Sequence, residues 1–412
     1  TGFSQCSAVP LMAWTAEHCE NPVSTMLRGP RHQRELKDLL PRDHTLRGGL
    51  LFGIEGYIIE VQARAVEVRK RPGPWRARIA GMTKGAATEV LSRINGAFSK
   101  LQIPDPQVDI LVNLAPADLE KGGAWLDLPI AIILLQAAGM LPDLPEDREG
   151  DYLLLGEIGI HGDIRRVPGA LSIAYQAKPG QKLIVPAGNE KECALILAKP
   201  GHEGCGVFPV RSLERVIDFF AGGSPLQNAL AQKITFDNAI QKAVDFGKIK
   251  GQEKAKRAAV ISAAGGHNLL LIGPPGEGKS LLAKAMPGIL PRLSDGEKVE
   301  LTKIYSACGQ LDNDGLAVTR RPMRSVHHTA SQASLIGGGS GVPRPGEVTL
   351  AHLGVLFLDE IAEFSRSTLE VLRQPIEDGK VTINRVHASL TFPSQFTLVA
   401  AMNPCPCGYH GD

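Results

Sequence analysis

The 412-residue sequence is short of aromatic residues, of long apolar runs, of ordered cysteines and of charge of one sign. Aromatics make up only 5%, while the hydrophobic share is 43% and the charged share 21%, the balance of a water-soluble globular chain. A formal net charge of +2 excludes a large basic field. Any contact with DNA or RNA must therefore come from a local loop or from assembly around a pore. The seven cysteines, at 6, 19, 193, 205, 308, 405 and 407, are odd in number and irregular in spacing. They argue against a disulfide framework and fit a reducing, cytoplasmic setting. The longest apolar run, Leu128–Leu141, falls short of the roughly 20 residues a bilayer span needs. With Asp127 as N-cap and Pro129 close behind, it reads as a buried core helix, and no membrane is expected. No signal-peptide pattern follows Thr1. Because the first residue is not Met and Asp412 falls soon after a strand in a turn-rich stretch, both ends read as cut.

A chain of this length calls for two or three domains. Residues 1–51 carry no clear period and read as a poorly ordered N-terminal segment. From 52 to 221 a mixed α/β pattern runs through strands at Tyr57–Val68, Val108–Leu114, Tyr152–Ile158 and Lys182–Val185. Helices alternate with them at Ala86–Phe98, 129–140, Ala170–Lys178 and Leu213–Phe220. Residues 222–247, opening on the glycine- and proline-bearing Ala221–Pro225, read as linker and helix, with that helix around 237–245. A second domain over 248–412 opens with a helix at 252–264. Its strands Asn268–Ile272, Gly354–Leu358 and Phe396–Ala401 alternate with helices at Ser280–Met286, after a capping box at Ser294–Glu297, and from Ser365 to Gly379. A hairpin over Lys380–Thr391 precedes the last strand. Parallel strands with chemistry at their carboxyl ends describe a doubly wound P-loop α/β domain.

That chemistry is concentrated at three strand ends. The run Gly273, Pro274, Pro275, Gly276, Glu277, Gly278, Lys279, Ser280 matches G-x-x-x-x-G-K-[ST], with an apolar strand before it and a helix, beginning through Leu281, after it. Its glycines let backbone N–H groups wrap phosphates; Lys279 would hold the β- and γ-phosphates of ATP and Ser280 would ligate Mg²⁺. About 80 residues on, Val355–Glu360 is a buried strand ending in two carboxylates. Asp359 would sit near the Mg²⁺ and Glu360 would polarise the attacking water. A third strand ends at Asn403, whose amide could orient that water or touch the γ-phosphate; alone, it would read as an Asn opening the turn before Pro404.

These blocks resemble the magnesium-chelatase-like AAA+ proteins of the ComM (YifB) type. The most specific stretches are Asn113–Leu119, Ala263–Gly273, Gly346–Glu360 and Phe396–Gly408, and the likeness runs from about Gly53 to Asp412. It departs at Gly81-Met-Thr83, where the family has Gly-Leu-Pro, and at Val326, where it has proline. The resemblance implies an N-terminal Lon-protease-like (ribosomal S5-like) α+β domain joined to an AAA+ motor working as a homo-hexameric ring. The implied activity is DNA branch migration in recombination and transformation, with a chelatase-type motor acting on a protein partner as the alternative. The family's arginine finger and sensor-2 arginine would lie beyond the chain given. Lon-type peptidases need a Ser–Lys dyad. The matching turn, Gly122–Pro129, has no serine and Leu171 stands about where the lysine would fall, so peptidase activity is not expected.

Weaker features keep two readings each. The basic stretch Arg320–His328 could line a pore and touch DNA phosphates, or be a structural insert between motor strands. Lys380, Arg385 and His387 flank or occupy the hairpin tip, where related motors contact substrate, but a solvated turn would look the same. Cys405 and Cys407 could form half a zinc site with ligands further on, or none.

Overall fold

The computed structural model describes residues 43–68, 75–117, 119, 121–142, 151–231, 244–311, 317–339, 342–385 and 388–405. Its first layer is a mixed sheet of seven strands. In chain order these are β1 (Asp43–Phe52), β2 (Glu55–Val68), β3 (Arg76–Ala80), β4 (Val108–Ala115), β5 (Tyr152–Leu154), β8 (Lys182–Pro186) and β9 (Gly206–Val210). Their spatial order is β3-β4-β2-β1-β5-β8-β9. Two short strands, β6 (Glu157–Ile158) and β7 (Ile164–Arg165), pair beside it. The helices of this half are α1 (Lys84–Lys100), α2 (Asp127–Ala137), α3 (Ala170–Ala174), α4 (Glu190–Leu197) and α5 (Leu213–Phe220).

Strand β1 corrects the reading of residues 1–51 as unpatterned, because the last nine positions of that segment, 43–51, begin the sheet. Leu46, Leu50 and Leu51 are buried, but Gly48 and Gly49 interrupt the apolar alternation. Those glycines have a steric reason. A Cβ on Gly48 would stand 2.6 Å from Leu126 Cδ2, and one on Gly56 in β2 would stand 2.5 Å from Ile173 N and closer still to the Ser172 carbonyl. Sheet and helices approach too closely there for a methyl group. Residues 1–42 lie outside the described residues.

Every residue of α2 is buried, as a core helix requires. Asp127, expected as its N-cap, is instead the first helical residue. Its carboxylate accepts Arg93 Nε at 2.7 Å, Arg93 Nη2 at 2.9 Å and the Ile158 N–H at 3.2 Å. Burial outweighs these partners and pushes its carboxyl up to about 6. The expected strand Tyr152–Ile158 stops at Leu154, because Gly156 (φ 154°) turns the chain into β6. Leu171 is fully buried in α3. Besides β1 and the short β7, three further elements were not foreseen: β3, whose Arg76 and Arg78 mask an edge strand; β9, whose Pro209 is tolerated at an edge; and α4. Of the helix expected at 237–245, residues 237–243 lie outside the described residues, and Asp245 caps a 3₁₀ turn, Phe246–Lys248.

The second half contains α6 (Glu253–Gly265), β10 (Leu269–Ile272), α7 (Lys279–Ala285), α8 (Asp295–Ala307), β11 (Met323–Val326), α9 (Gln332–Ile336), the small pair β12 (Gly337–Gly338) and β13 (Arg344–Pro345), and α10 (Glu347–Leu350). It continues with β14 (Val355–Leu358), α11 (Arg366–Glu370), α12 (Arg373–Asp378), the hairpin β15 (Lys380–Arg385) and β16 (Ala388–Pro393), and β17 (Thr397–Met402). Strands β10, β17, β14 and β11 form one sheet in that order, every pairing parallel. Alternate residues of β14 serve opposite faces. Val355 and Phe357 join a core with α6 and α7, whereas Leu356 and Leu358 join one with α8, α10 and the hairpin. At β14 the sheet is buried on both faces, with helices on each, the expected α/β layout.

Helix α8 opens on the capping box foreseen at Ser294 and Glu297. It also joins the two halves. Lys303 Nζ lies 2.6 Å from Glu55 Oε2 in β2, Gly169 N donates to Ser306 O at 3.0 Å, and Ser306 Oγ donates to the buried Glu192 of α4.

Candidate functional site

The basic stretch Arg320–His328 is not an insert between strands: its middle is itself a strand, β11, paired with β14 from Met323↔Val355 to Val326↔Leu358. Arg324 is held bidentately by Glu347, at 2.5 and 2.8 Å, and Arg321 reaches Leu353 O at 2.7 Å and Glu297 Oε1 at 3.2 Å. These two arginines anchor the strand to its neighbours.

The parallel register brings the ends of β10, β17 and β14 to one edge, since Ile272 pairs with Met402 and Leu358 with Ala400. The loop after β10 leaves that edge through Gly276 (φ 87°) and Gly278 (φ 83°), conformations that favour glycine. A Cβ at either would meet nothing within 4 Å, so open space lies over the loop. Pro275, Gly276, Glu277 and Gly278 are exposed, and Gly273, Pro274, Lys279 and Ser280 are half-buried. Leu281 points outward from α7, exposed and apart from the polar groups.

Residues far apart in sequence meet here. Lys279 Nζ donates to Gly273 O at 2.5 Å, to Pro274 O at 2.8 Å and to Asn403 Oδ1 at 3.1 Å. Ser280 Oγ donates to Asp359 Oδ2 at 3.0 Å, and Asp359 Oδ1 accepts the Glu360 N–H at 3.2 Å. Lys279, Ser280, Asp359 and Asn403, singled out from three separate strand ends, thus meet as two hydrogen-bonded pairs joined by the adjacency of Lys279 and Ser280. Such a group offers a cation and backbone amides for phosphate, and two oxygens of the kind a hard divalent cation takes.

Glu360 stands beside this group in a left-handed backbone conformation (φ 52°), its side chain 49% exposed. Its Oε2 lies 3.4 Å from His328 Nδ1, just past the end of β11. Sequence reasoning missed that neighbour, which depends on β11 lying against β14. It also missed Gln252, whose Nε2 donates to Glu277 Oε2 at 3.0 Å from the start of α6. Its positive φ of 55° leaves no sequence signal.

The hairpin differs from expectation. Lys380 pairs with Pro393 at its base, not its tip, and lines a cleft of about 410 Å³ shared with Glu55, Glu300 and Lys303. Arg385 closes the register opposite Ala388; its side chain and all of His387 lie outside the described residues. Cys405 is half-buried, and Cys407 is outside the described residues. Among the described residues, no helix is long and apolar enough to cross a membrane.

A family model described as "Magnesium chelatase, subunit ChlI" matches residues 245–412, and one described as "Subunit ChlI of Mg-chelatase" matches 66–189. The protein YifB of Salmonella typhimurium, itself uncharacterized, is 42% identical over 346 residues, 84% of this chain and 66% of its own length. An uncharacterized Mycobacterium bovis protein is 38% identical over 357 residues, 86% of this chain and 68% of its own. Competence protein ComM of Haemophilus influenzae is 38% identical over 350 residues, 84% of this chain and 66% of its own. The chain spans about two thirds of the length of the curated relatives it matches.

Proposed function

The chain belongs to the magnesium-chelatase-like proteins of the ComM and YifB type, and on that footing we propose that it is the nucleotide-binding portion of an AAA+ ATPase motor acting on DNA. The observation that carries the proposal is the convergence of Lys279, Ser280, Asp359 and Asn403 on one sheet edge.

In this reading the amides of Gly273–Ser280 and the Lys279 ammonium hold the β- and γ-phosphates of ATP, which take the place of the Gly273 and Pro274 carbonyls around Nζ. Ser280 and Asp359 hold Mg²⁺, for which their two oxygens, 3.0 Å apart, are suitable donors. Bound there, the ion neutralises charge on the transferring phosphoryl group. Glu360 takes the proton of the attacking water, and Asn403 orients that water or the γ-phosphate. The N-terminal sheet serves as a Lon-type domain without a peptidase dyad, and subunits assemble as a cytoplasmic hexameric ring. Branch migration during recombination or uptake of DNA is the proposed task, in keeping with the competence name of the Haemophilus relative.

The test is steady-state ATPase of the full-length protein with and without single-stranded and forked DNA at two salt concentrations. Stimulation by DNA that falls with salt is the expected result. Turnover indifferent to every DNA would overturn the DNA role and direct the search to a protein partner, as for a chelatase-type motor.

A further inference from the structure

Beside the proposed nucleotide site the chain brings two imidazoles and a carboxylate together. One ligand atom each from His327, His328 and Glu360 lies within 4.8 Å of the other two. The His328 Nδ1 atom is buried and has no hydrogen-bond partner, although Glu360 Oε2 stands 3.4 Å away. That spacing is close to the separation of two neighbouring ligands on a tetrahedral ion with bonds of about 2.0–2.1 Å. In the tautomer with its proton on Nε2, His328 presents a desolvated Nδ1 lone pair to a carboxylate, which is costly unless something sits between them.

The other imidazole is held at one nitrogen by its neighbour: His327 Nδ1 accepts the Thr329 N–H at 3.5 Å and lies 3.1 Å from Thr329 Oγ1, so Nε2 is the nitrogen left for a cation, which would displace its proton. An outer partner of that kind orients a ligating ring. The two rings lie 4.0 Å apart at 36°, and Phe364 packs edge-on against His328. Glu360 and His327 are exposed enough to close the remaining gap by rotating side chains.

We propose that His327, His328 and Glu360 form a site for a borderline-soft divalent cation of the Zn²⁺ class, distinct from the Mg²⁺ position at Ser280 and Asp359. Two nitrogens and one carboxylate oxygen suit such an ion, whereas the oxygen pair at Ser280 suits a hard one. The site shares Glu360 with the proposed hydrolytic machinery. Its occupation therefore engages the lone pairs that would accept the water's proton, and the ion acts as a brake on turnover. This second statement rests on the function proposed above; the binding site does not.

The experiment uses the full-length protein carrying Cys405→Ser and Cys407→Ser, so that those thiolates supply no signal. Co²⁺ is titrated in without nucleotide and followed by its visible absorption, intense for four-coordinate ions. Bands that Zn²⁺ displaces are expected, with affinity falling at least tenfold in His327→Ala and in the more conservative His327→Gln. Absence of bands, or equal affinity in both variants, would overturn the site. Zn²⁺ inhibition of ATPase is then compared as the ratio of inhibited to uninhibited rate within each protein. Inhibition relieved in His327→Ala supports the brake. Bands with no ATPase in any form would leave the site standing and remove the proposed function, and undiminished turnover at saturating Zn²⁺ would remove the brake alone.

Discussion

Replacing Ser306 with alanine tests how the two halves are held together. Ser306 Oγ donates to Glu192, whose side chain is 1% exposed and which also accepts from Asn189 Nδ2, with Arg166 Nη2 at 3.8 Å. Burial raises the Glu192 pKa above the ordinary glutamate value, and the Ser306 and Asn189 donors oppose the rise. A group whose folded pKa is raised gives its full contribution to stability below its unfolded pKa and loses it as pH rises through the folded one. Ser306→Ala removes a donor that favours the charged form, so the folded pKa climbs further and the loss deepens as pH rises. At about pH 4.5, where the raised pKa leaves the acid mostly neutral, the change removes a hydrogen bond to a neutral group, costing about 1 kcal/mol; at a pH above the folded pKa it removes one from a carboxylate, costing about 2–3 kcal/mol. Hydrogen exchange of peptides covering α4 and α8, compared with wild type at the same pH, reads this as local opening. Protection should fall roughly fivefold at the lower pH and roughly 30- to 150-fold at the higher. Equal losses at the two pH values would refute the reasoning, because a contact worth the same to both protonation states cannot involve the Glu192 charge.

Three further outcomes are expected. Lys279→Ala should weaken Mg-ATP binding by more than about tenfold in calorimetry, since a charge-assisted phosphate contact is worth about 1.5–3 kcal/mol. Glu360→Gln should keep nucleotide affinity while turnover falls about 10²- to 10⁴-fold, the contribution of a positioned general base, and undiminished turnover would remove Glu360 from that role. Gly56→Ala should lower the melting temperature by several degrees, about 1–3 kcal/mol of overpacking, because the new methyl runs into the Ser172–Ile173 backbone.

Much of the site was legible because its chemistry is local. The glycine-rich run Gly273–Ser280 is contiguous, and β14 and β17 are apolar strands ending in polar residues, so period and composition revealed them without a partner. What was hidden depended on pairing. Strand β11 reads as a basic stretch because Arg324 spends its charge on Glu347, over twenty residues later, and so the meeting of His328 with Glu360 could not be foreseen. Strand β1 was obscured by Gly48 and Gly49, which answer to the packing of Leu126 and Ile173 and not to any strand preference. Lys380, read with Arg385 and His387 as flanking or occupying the hairpin tip, stands at its base because a turn signal fixes the tip less well than the register does.

Among its contacts, helix α8 meets Arg321, two residues before β11, through Glu297; the start of β2 through Lys303; and α4 through Ser306. A capped helix of thirteen residues is about 20 Å of stiff rod. A shift of β11 would therefore reach the N-terminal sheet as a displacement of that rod, with no loop between them to absorb it.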